Sequence, residues 1–508
     1  MKQFSAYQTA IFDFVQNGEG NGVVSATAGS GKTTTLVEVA AQVIANPKFD
    51  GQDLFFGAFN KAIQEELASR LPGNFTCKTF HAHGMQTLSK ATTKRMKVDS
   101  YKYNNLVRER LEKTYKITSD NKDFYSIYQA AGKLIEMTQV NLVDYSKNQN
   151  LVAIANQYDI EMKFEYTSMI LDLVKSALTL GKAQILKDGI ISFGDMVWGP
   201  SVLGLEPKQY DFMMIDEAQD LNRAQMMLIR KSLKATGRAL FVGDRMQAIY
   251  GFAGADANSL DNIKVEFEAV EMPLSICYRC PSSHVALAKT IDPTIEAAPG
   301  ASEGIIGNMD LANLAKVVKT GDMVLCRTTA PLVSACYTLI GQGISATVKG
   351  QDIGKGLIKL IGEVFKGVSS FSAVTYFGIV QAYKDAQTIK VTAKYSDSPD
   401  QASYILGNLF DKVEVLNVIY DSTSPVTVKE MVASIETLFS DKYSPVVLST
   451  IHRAKGLETD TVYLLRPELL PHPMAKSESA RQGEQALLFV AYTRSKNKFM
   501  FVHDQKGE

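Results

Sequence analysis

The sequence predicts an α/β fold with two parallel-sheet domains, each interrupted by an insertion. Short apolar segments alternate with helical patterns near the start of the chain, and similar segments return in its second half. This strand–helix–strand order is typical of parallel sheets covered by helices. Hydrophobic residues make up 45% of the 508 residues and charged residues 21%, a balance typical of globular chains with sizeable cores.

The first domain is predicted from periodicity and from glycine-rich punctuation. Its helices are predicted over residues 8–14, 32–45 and 61–71, and its strands over 22–26, 54–59, 212–215 and 239–242. Strand patterns disappear from about residue 85 to residue 190, and this stretch is predicted to be a mainly helical insertion.

The second domain is predicted to begin near residue 281, with strands over 323–326, 446–449, 461–465 and 499–502. Residues 350–444 mix polar and glycine-rich segments and are interpreted as a second, reduced insertion. The predicted domains are therefore 1–84 with 191–280 (first sheet), 85–190 (helical insertion), 281–349 with 445–508 (second sheet) and 350–444 (second insertion).

Charge and composition exclude several classes of protein. The 54 basic and 54 acidic residues cancel, so any affinity for nucleic acid must come from local patches. The chain has no apolar run near the roughly 18 residues of a membrane helix, and its first residues do not resemble a signal peptide. Five cysteines without regular spacing favour a reducing compartment, so we expect an intracellular protein that is not secreted.

The strongest motif is the segment from Ala26 to Thr34, Ala-Thr-Ala-Gly-Ser-Gly-Lys-Thr-Thr. In a P-loop, consecutive backbone N–H groups wrap phosphates, a lysine reaches the terminal phosphate oxygens and a hydroxyl binds Mg²⁺. Ala26 stands where the first glycine is usual, but a strand precedes the turn and a helix follows it. This context disfavours the alternative that the segment is a chance glycine-rich turn. We also expect the Lys32 side chain to face solvent when the site is empty. The predicted phosphate-binding residues are Ala28, Gly29, Ser30, Gly31, Lys32, Thr33 and Thr34.

A second motif ends the predicted strand at residues 212–215 with the adjacent carboxylates Asp216 and Glu217. Asp216 suits the outer shell of a magnesium ion that the Thr33 hydroxyl binds, and Glu217 suits a base that orients and deprotonates water. Acids that follow a strand are often only a solvated loop, but the P-loop upstream favours the functional interpretation. The two motifs together predict an NTP hydrolase.

The motif order resembles superfamily 1 helicases of the branch that includes UvrD, Rep and PcrA. Asp-Glu-Ala-Gln-Asp at 216–220 has that branch's usual form, and further segments match in the family's order: 58–62, 79–81, 242–252, 277–279, 450–458 and 490–495. The forms Ala-Phe-Asn-Lys at 58–61 and His-Arg-Ala-Lys-Gly at 452–456 also resemble the F-box DNA helicase sub-branch.

The resemblance implies two RecA-like domains with ATP and Mg²⁺ bound in a cleft between them. It implies that Gln8 reads adenine, that Tyr278 stacks on it, and that Gln247 senses the γ-phosphate. Arg279 and Arg494 would stabilise the transition state, and Gly456 and Glu458 would complete the nucleotide site. The implied DNA contacts are Phe59, Asn60, Thr79, His81, Tyr250, Phe252, Thr450 and His452.

The implied function is an ATP-dependent DNA helicase that moves 3′→5′ on single-stranded DNA and unwinds duplexes. Its partners would be single strands and single–double-strand junctions, with no membrane, in the cytoplasm or nucleoid, or in the nucleus of a eukaryote. Phe252 and Ala253 depart from the family's usual Trp and Arg, and Gln485 and Ala486 replace a common Arg pair. Three alternatives stay open: a translocase that strips proteins, an ATP-switched DNA-binding protein and, least favoured, an RNA motor.

Three further features of the sequence bear on function. Residues 90–116 carry nine Lys or Arg with Tyr101, Tyr103 and Tyr115 among them, which suits either a nucleic-acid contact or a solvated helix face. Cys277 and Cys280 lack the further ligands of a zinc site, so we expect them to pack without metal. Trp198, the only tryptophan, is expected to pack where the chain returns from the first insertion.

Overall fold

The computed structural model describes residues 3–58, 61–71, 73, 75–121, 123–158, 160–248, 259–394, 399–439, 446–473, 475 and 478–504. The chain divides into two compact units. The first comprises residues 1–27 and 31–275, and the second comprises residues 28–30 and 276–508.

The first unit contains a six-stranded parallel sheet with the order β3-β2-β6-β7-β1-β8, and a separate two-stranded pair, β4-β5. Its strands are β1 Gly22–Ala26, β2 Leu54–Ala58, β3 Phe75–Thr79, β4 Lys97–Val98, β5 Ile190–Ile191, β6 Tyr210–Ile215, β7 Leu233–Gly243 and β8 Val270–Leu274. The central strands are apolar on both faces because helices cover both sides of the sheet.

Helices surround this sheet and build the first insertion. They are α1 Ala6–Asn17, α2 Lys32–Ala45, α3 Lys61–Ala68, α4 Phe80–Thr92, α5 Lys102–Lys113, α6 Phe124–Val140, α7 Asn148–Gln157, α8 Phe164–Asp188, α9 Phe193–Val202, α10 Arg223–Ser232 and α11 Ser259–Glu266. Helices α5 to α8 enclose an apolar core of their own, in which Trp198 is 1% exposed. The expected packing role of Trp198 is therefore confirmed.

A buried polar cluster joins the first insertion to α9. Asp195 is fully buried and accepts hydrogen bonds from Lys102 Nζ at 2.6 Å, Tyr103 Oη at 2.6 Å and Gln139 Nε2 at 2.9 Å. It also closes the N-terminal capping box of α9 with Ser192. A buried charge needs such partners, so Asp195 fixes where the insertion's helices meet α9.

The second unit contains a second six-stranded parallel sheet, with the order β11-β16-β15-β12-β14-β13, and the short pair β10-β9. Its strands are β9 Ile276–Cys277, β10 Glu296–Ala297, β11 Ile305–Asp310, β12 Met323–Cys326, β13 Ala346–Val348, β14 Val446–Thr450, β15 Thr459–Leu465 and β16 Ser495–His503. Its helices are α12 Ser282–Lys289, α13 Leu314–Val317, α14 Ala330–Gly341, α15 Gln351–Val364, α16 Ala373–Lys394, α17 Pro399–Thr423, α18 Val428–Leu438 and α19 Glu478–Tyr492.

The second insertion is helical, formed by α15 to α18. These helices share one apolar core with the sheet beside them, and an aromatic group at its centre includes Tyr376 stacked on Tyr420 with ring centroids 3.9 Å apart. Glycines 356, 362 and 378 leave open space where a Cβ would project, so they break the apolar pattern without breaking the helices.

The predicted fold class is confirmed: both units are mixed α/β with parallel sheets. Among the described residues, no helix is both long and apolar enough to cross a membrane.

Candidate nucleotide site

The P-loop has the local geometry that phosphate binding requires. β1 ends at Ala26, and α2 begins at Lys32. Between them Gly29 and Gly31 have φ values of +68° and +81°, a region that favours glycine. Gly31 caps α2, whose first N–H groups form the positive end of the helix.

Gly29 is also required by close packing. Its carbonyl accepts a hydrogen bond from Tyr278 N at 2.9 Å. A Cβ at position 29 would lie 2.6 Å from Cβ of Arg279 and 2.9 Å from Sγ of Cys277. The loop therefore tolerates no side chain here.

Lys32 is more enclosed than we expected. Its side chain is 14% exposed, and Nζ lies 3.7 Å from Oδ2 of Asp244, which is itself 1% exposed. The expectation that Lys32 faces solvent is wrong, because the buried Asp244 carboxylate provides it with a counter-ion.

The acidic pair follows β6 at the same edge of the sheet. Asp216 is buried, and its Oδ1 accepts a hydrogen bond from Glu217 N at 2.8 Å. Glu217 has a φ of +52°, which is rare for a residue other than glycine and indicates local strain.

Gln247 belongs to the same polar cluster. It is buried, and its Nε2 donates to Oδ2 of Asp244 at 2.6 Å. Asp244 N in turn donates to Oε1 of Gln219 at 2.9 Å. Neither Asp244 nor Gln219 is among the site residues predicted from the sequence. The sequence shows only that each follows the end of an apolar strand, because the adjacency of β6 and β7 is a property of the sheet.

Gln8 lies beside the P-loop helix. It is the third residue of the capping box of α1, where Oε1 accepts from Ser5 N at 3.0 Å. Its Nε2 donates to Oγ1 of Thr35 at 3.0 Å. The first unit thus holds Gln8 on α1, Lys32 at the start of α2, and Asp216, Glu217 and Gln247 after the ends of β6 and β7.

The second unit holds the remaining residues predicted to bind nucleotide. Tyr278 is half exposed, which leaves its ring available for stacking. Arg279 Nε and Lys496 Nζ each lie 2.6 Å from the Glu458 carboxylate. Burial alone would raise the pKa of Glu458, but these two cations hold it below its ordinary value. Gly456, two residues earlier, has a φ of +84°.

Arg494 is buried, with 1% of its surface exposed. Its guanidinium donates to Val490 O at 2.9 Å, Leu457 O at 3.3 Å and Thr493 Oγ1 at 3.0 Å. These bonds tie the end of α19 to the loop before β15. Arg494 is therefore an internal residue of the second unit.

The predicted DNA contacts fall in both units. Thr79 caps α4 by accepting from Ala82 N at 3.2 Å, and Thr450 ends β14. Burial lowers the pKa of His81. Burial and then the charge of Arg327 lower the pKa of His452 to about 4, so it is neutral at pH 7. The other predicted contacts lie outside the described residues: Phe59, Asn60, Tyr250 and Phe252.

The basic segment at 90–116 is only partly a charged surface. Lys102 and Tyr103 are buried against Asp195, so the predicted nucleic-acid contact is wrong for these two residues. Arg110 and Tyr115 both bind Asp172. Tyr101 is exposed.

Cys277 and Cys280 are both buried and lie next to each other. Cys277 Sγ accepts a hydrogen bond from Cys280 N at 3.4 Å, and Cys280 Sγ donates to Thr493 O at 3.6 Å. Hydrogen bonding from Cys280 lowers the pKa of Cys277.

Two parallel α/β sheets, with a P-loop after one strand and a carboxylate pair after a nearby strand, define the P-loop class of α/β proteins. Comparison with known families narrows this class. The UvrD/REP helicase N-terminal domain matches residues 8–268, and the UvrD-like helicase C-terminal domain matches residues 380–506. The chain belongs to the UvrD/REP helicase family, which confirms the resemblance seen in its motifs.

The individual relatives have low sequence identity to this chain, and two of the three matches below cover nearly all of it. The chain is 21% identical to "ATP-dependent DNA helicase PcrA" of Leuconostoc citreum, over 96% of this chain and 80% of that protein. It is 19% identical to "Probable DNA helicase II homolog" of Mycoplasma genitalium, over 96% of this chain and 83% of that one. It is 26% identical to "F-box DNA helicase protein 1" of Schizosaccharomyces pombe, over 46% of this chain and 26% of that much longer protein.

Proposed function

We propose that the protein is an ATP-hydrolysing DNA helicase that moves 3′→5′ along single-stranded DNA. One observation carries the proposal: in a member of the UvrD/REP family, the P-loop lysine and Gln247 both lie beside Asp244, which Gln219 connects to Glu217 of the acidic pair. The relatives' names include "ATP-dependent DNA helicase", and the cluster contains the groups that hydrolysis needs.

The residues have separate chemical tasks in this proposal. The N–H groups of residues 28–33 bind the phosphates, and Lys32 exchanges Asp244 for the terminal phosphate oxygens. Glu217 orients the attacking water and accepts its proton, while Gln247 donates to the γ-phosphate. Tyr278 and Gln8 bind adenine.

Magnesium fits the oxygen donors of this site. Thr33 provides a hydroxyl and Asp216 a buried carboxylate, and hard oxygen ligands are those that Mg²⁺ prefers. When bound, the ion would neutralise charge on the phosphate oxygens. We further propose that Arg279 and Arg494 stabilise transition-state charge, which is the task of an arginine finger.

The DNA strand is proposed to contact Thr79 and His81 in the first unit and Thr450 and His452 in the second, together with Phe59, Asn60, Tyr250 and Phe252. Because His452 is neutral at pH 7, we assign it hydrogen bonding or stacking and not attraction of phosphates. Single strands and junctions inside the cell are the proposed substrates.

The test combines ATPase assays with unwinding of fluorescent duplexes that carry either a 3′ or a 5′ single-stranded tail. We expect hydrolysis stimulated by single-stranded DNA, and strand release only from the 3′-tailed duplex. Stimulated hydrolysis without release would favour a translocase that strips proteins. Hydrolysis that does not depend on strand length would favour an ATP-switched binding protein, and stronger stimulation by RNA would refute the DNA assignment.

A further inference from the structure

We infer that Gln219 is a positioning residue that couples the water-orienting Glu217 to the segment carrying Gln247. The inference rests on the proposed function, because it assigns a task within the same hydrolytic site. Gln219 is 1% exposed and lies in the short 3₁₀ turn Ala218–Asp220 that follows β6. It contacts no nucleotide in this assignment and acts through its neighbours.

The first contact is with the acid. Gln219 Nε2 donates a hydrogen bond to Oε2 of Glu217. Glu217 is held at a φ of +52°, a strained conformation that needs support from its surroundings. The amide therefore restricts the direction in which the Glu217 carboxylate points.

The second contact is with the adjacent strand end. Gln219 Oε1 accepts from Asp244 N at 2.9 Å, and the Asp244 carboxylate accepts from Gln247 Nε2 at 2.6 Å and lies 3.7 Å from Lys32 Nζ. A backbone N–H only donates, so the amide oxygen must face Asp244 and the NH₂ group must face Glu217. One amide thus connects the acid to the lysine and to Gln247.

The absence of a side chain at Gly243 allows the backbone to approach Gln219 closely enough for this bridge. A Cβ on Gly243 would lie 2.7 Å from Oε1 of Gln219 and 3.0 Å from its backbone N. Gly243 ends β7, so the close approach of the two strand ends depends on a glycine at this point.

The bridge has a mechanical consequence. If Lys32 and Gln247 turn from Asp244 towards phosphate, Asp244 moves, and its N–H shifts the amide that holds Glu217. Glu217 is then aligned when the γ-phosphate is engaged. One side of the bridge needs an acceptor and the other needs a donor, and an amide provides both at neutral pH.

The test uses Gln219→Leu and Gln219→Glu in the full chain, with ATP binding and DNA-stimulated ATPase measured from pH 6 to pH 9. Loss of alignment should lower kcat by about 100-fold in Gln219→Leu while Kd for ATP changes by less than about threefold. Gln225→Glu is the matched control, because Gln225 is equally buried but only closes the capping box of α10, where glutamate is also favoured.

The effect of Gln219→Glu should appear in the pH dependence of DNA-stimulated ATPase. Its carboxyl faces the Glu217 carboxylate, and two such groups share one proton with a raised pKa. At low pH the new carboxyl is protonated and donates to Glu217 as the amide does. Activity relative to the wild type should therefore fall as pH rises, whereas Gln225→Glu should follow the wild-type profile.

Failure of this inference differs from failure of the proposed function. A wild-type protein without ATPase refutes the function. An active wild type whose two Gln219 variants keep kcat within about twofold, with an unchanged pH profile, refutes the bridge. Thermal unfolding tests the contact itself, whether or not ATP is hydrolysed. Gln219→Glu should lose stability as pH rises, and Glu217→Gln in the same chain should reduce that dependence to the part that burial of the new carboxyl causes. An unchanged dependence would overturn the assigned contact.

Discussion

At the scale of single residues, the charge of Lys32 has a buried partner within the protein. It lies 3.7 Å from the buried Asp244. We expect Lys32→Ala to abolish ATP hydrolysis, because the group that reaches the terminal phosphates is lost. We also expect a lower Tm, because Asp244 loses a buried counter-ion. ATPase assays and thermal unfolding measure the two effects.

The control for this change is Lys133→Ala, which removes a lysine that pairs with Glu136 on the surface of α6. Surface pairs contribute about 0–1 kcal/mol, so activity and Tm should both stay close to those of the wild type. Near-normal ATPase in Lys32→Ala would refute the P-loop assignment.

Gly29 provides a second test at the scale of one residue. Gly29→Ala adds a Cβ that would lie 2.6 Å from Arg279 Cβ, at a φ of +68°. Strain alone costs about 1–2 kcal/mol, and the clash must also displace residues 277–279. We expect weaker ATP binding, measured by fluorescent-nucleotide titration.

Gly51→Ala separates strain from collision. Gly51 has a φ of +73°, but a Cβ there would meet nothing within 4 Å. This variant should lose stability from strain and keep its affinity for ATP. Equal ATP affinities in the two variants would show that the Gly29 contact is unimportant.

At the scale of elements, the helical insertion depends on Asp195. Asp195→Asn leaves the buried Lys102 ammonium without its opposite charge. Breaking one partner of a buried pair costs about 3–5 kcal/mol. We expect a correspondingly lower free energy of unfolding in urea titrations.

Asp188→Asn is the comparison, because Asp188 is an exposed acid at the end of α8. It should leave the free energy of unfolding within about 0.5 kcal/mol of the wild type. If Asp195→Asn is equally mild, the buried cluster does not hold α5 and α9 together.

The end of α19 depends on Arg494 in a similar way. Arg494→Ala removes hydrogen bonds to Val490 O and Leu457 O, and each buried group left unsatisfied costs about 1–3 kcal/mol. We expect a lower Tm, and loss of nearly all DNA-stimulated turnover if Arg494 stabilises the transition state, with ATP affinity within about tenfold. Arg481→Ala, an exposed arginine on the same helix, should change neither. Wild-type Tm and ATPase in Arg494→Ala would contradict both roles.

At the scale of the whole molecule, each unit has its own sheet and core. We expect a fragment of residues 1–275 to fold alone, because it contains all six strands of the first sheet. A fragment of residues 1–268 lacks β8, whose Met272 and Leu274 are buried in that core. It should unfold at a lower temperature in circular dichroism, because deleting a large core side chain costs about 2–5 kcal/mol. Equal melting temperatures, or a 1–275 fragment without a cooperative transition, would contradict this prediction.

The sequence determined the features that local chemistry encodes. The P-loop, the strand that ends in Asp216 and Glu217, and most strands of both sheets follow from apolar runs, glycine turns and capping residues, which act over a few residues. The family could also be predicted from the sequence, because its motifs keep their order along the chain. The predicted domain boundaries and the assigned roles of the site residues remain predictions.

Only the tertiary structure decided which groups meet. Lys102 and Tyr103 belong to a basic, aromatic segment, yet Asp195, more than 90 residues later, buries them. Glycines and polar residues interrupt the apolar pattern of the second insertion, so its helices were not predicted from the sequence. Their burial depends on a core shared with the second sheet. Asp244 and Gln219 join the nucleotide site because β6 and β7 are neighbours in the sheet. Burial and pairing between distant residues depend on the packing of the whole unit, and no local pattern in the sequence specifies them.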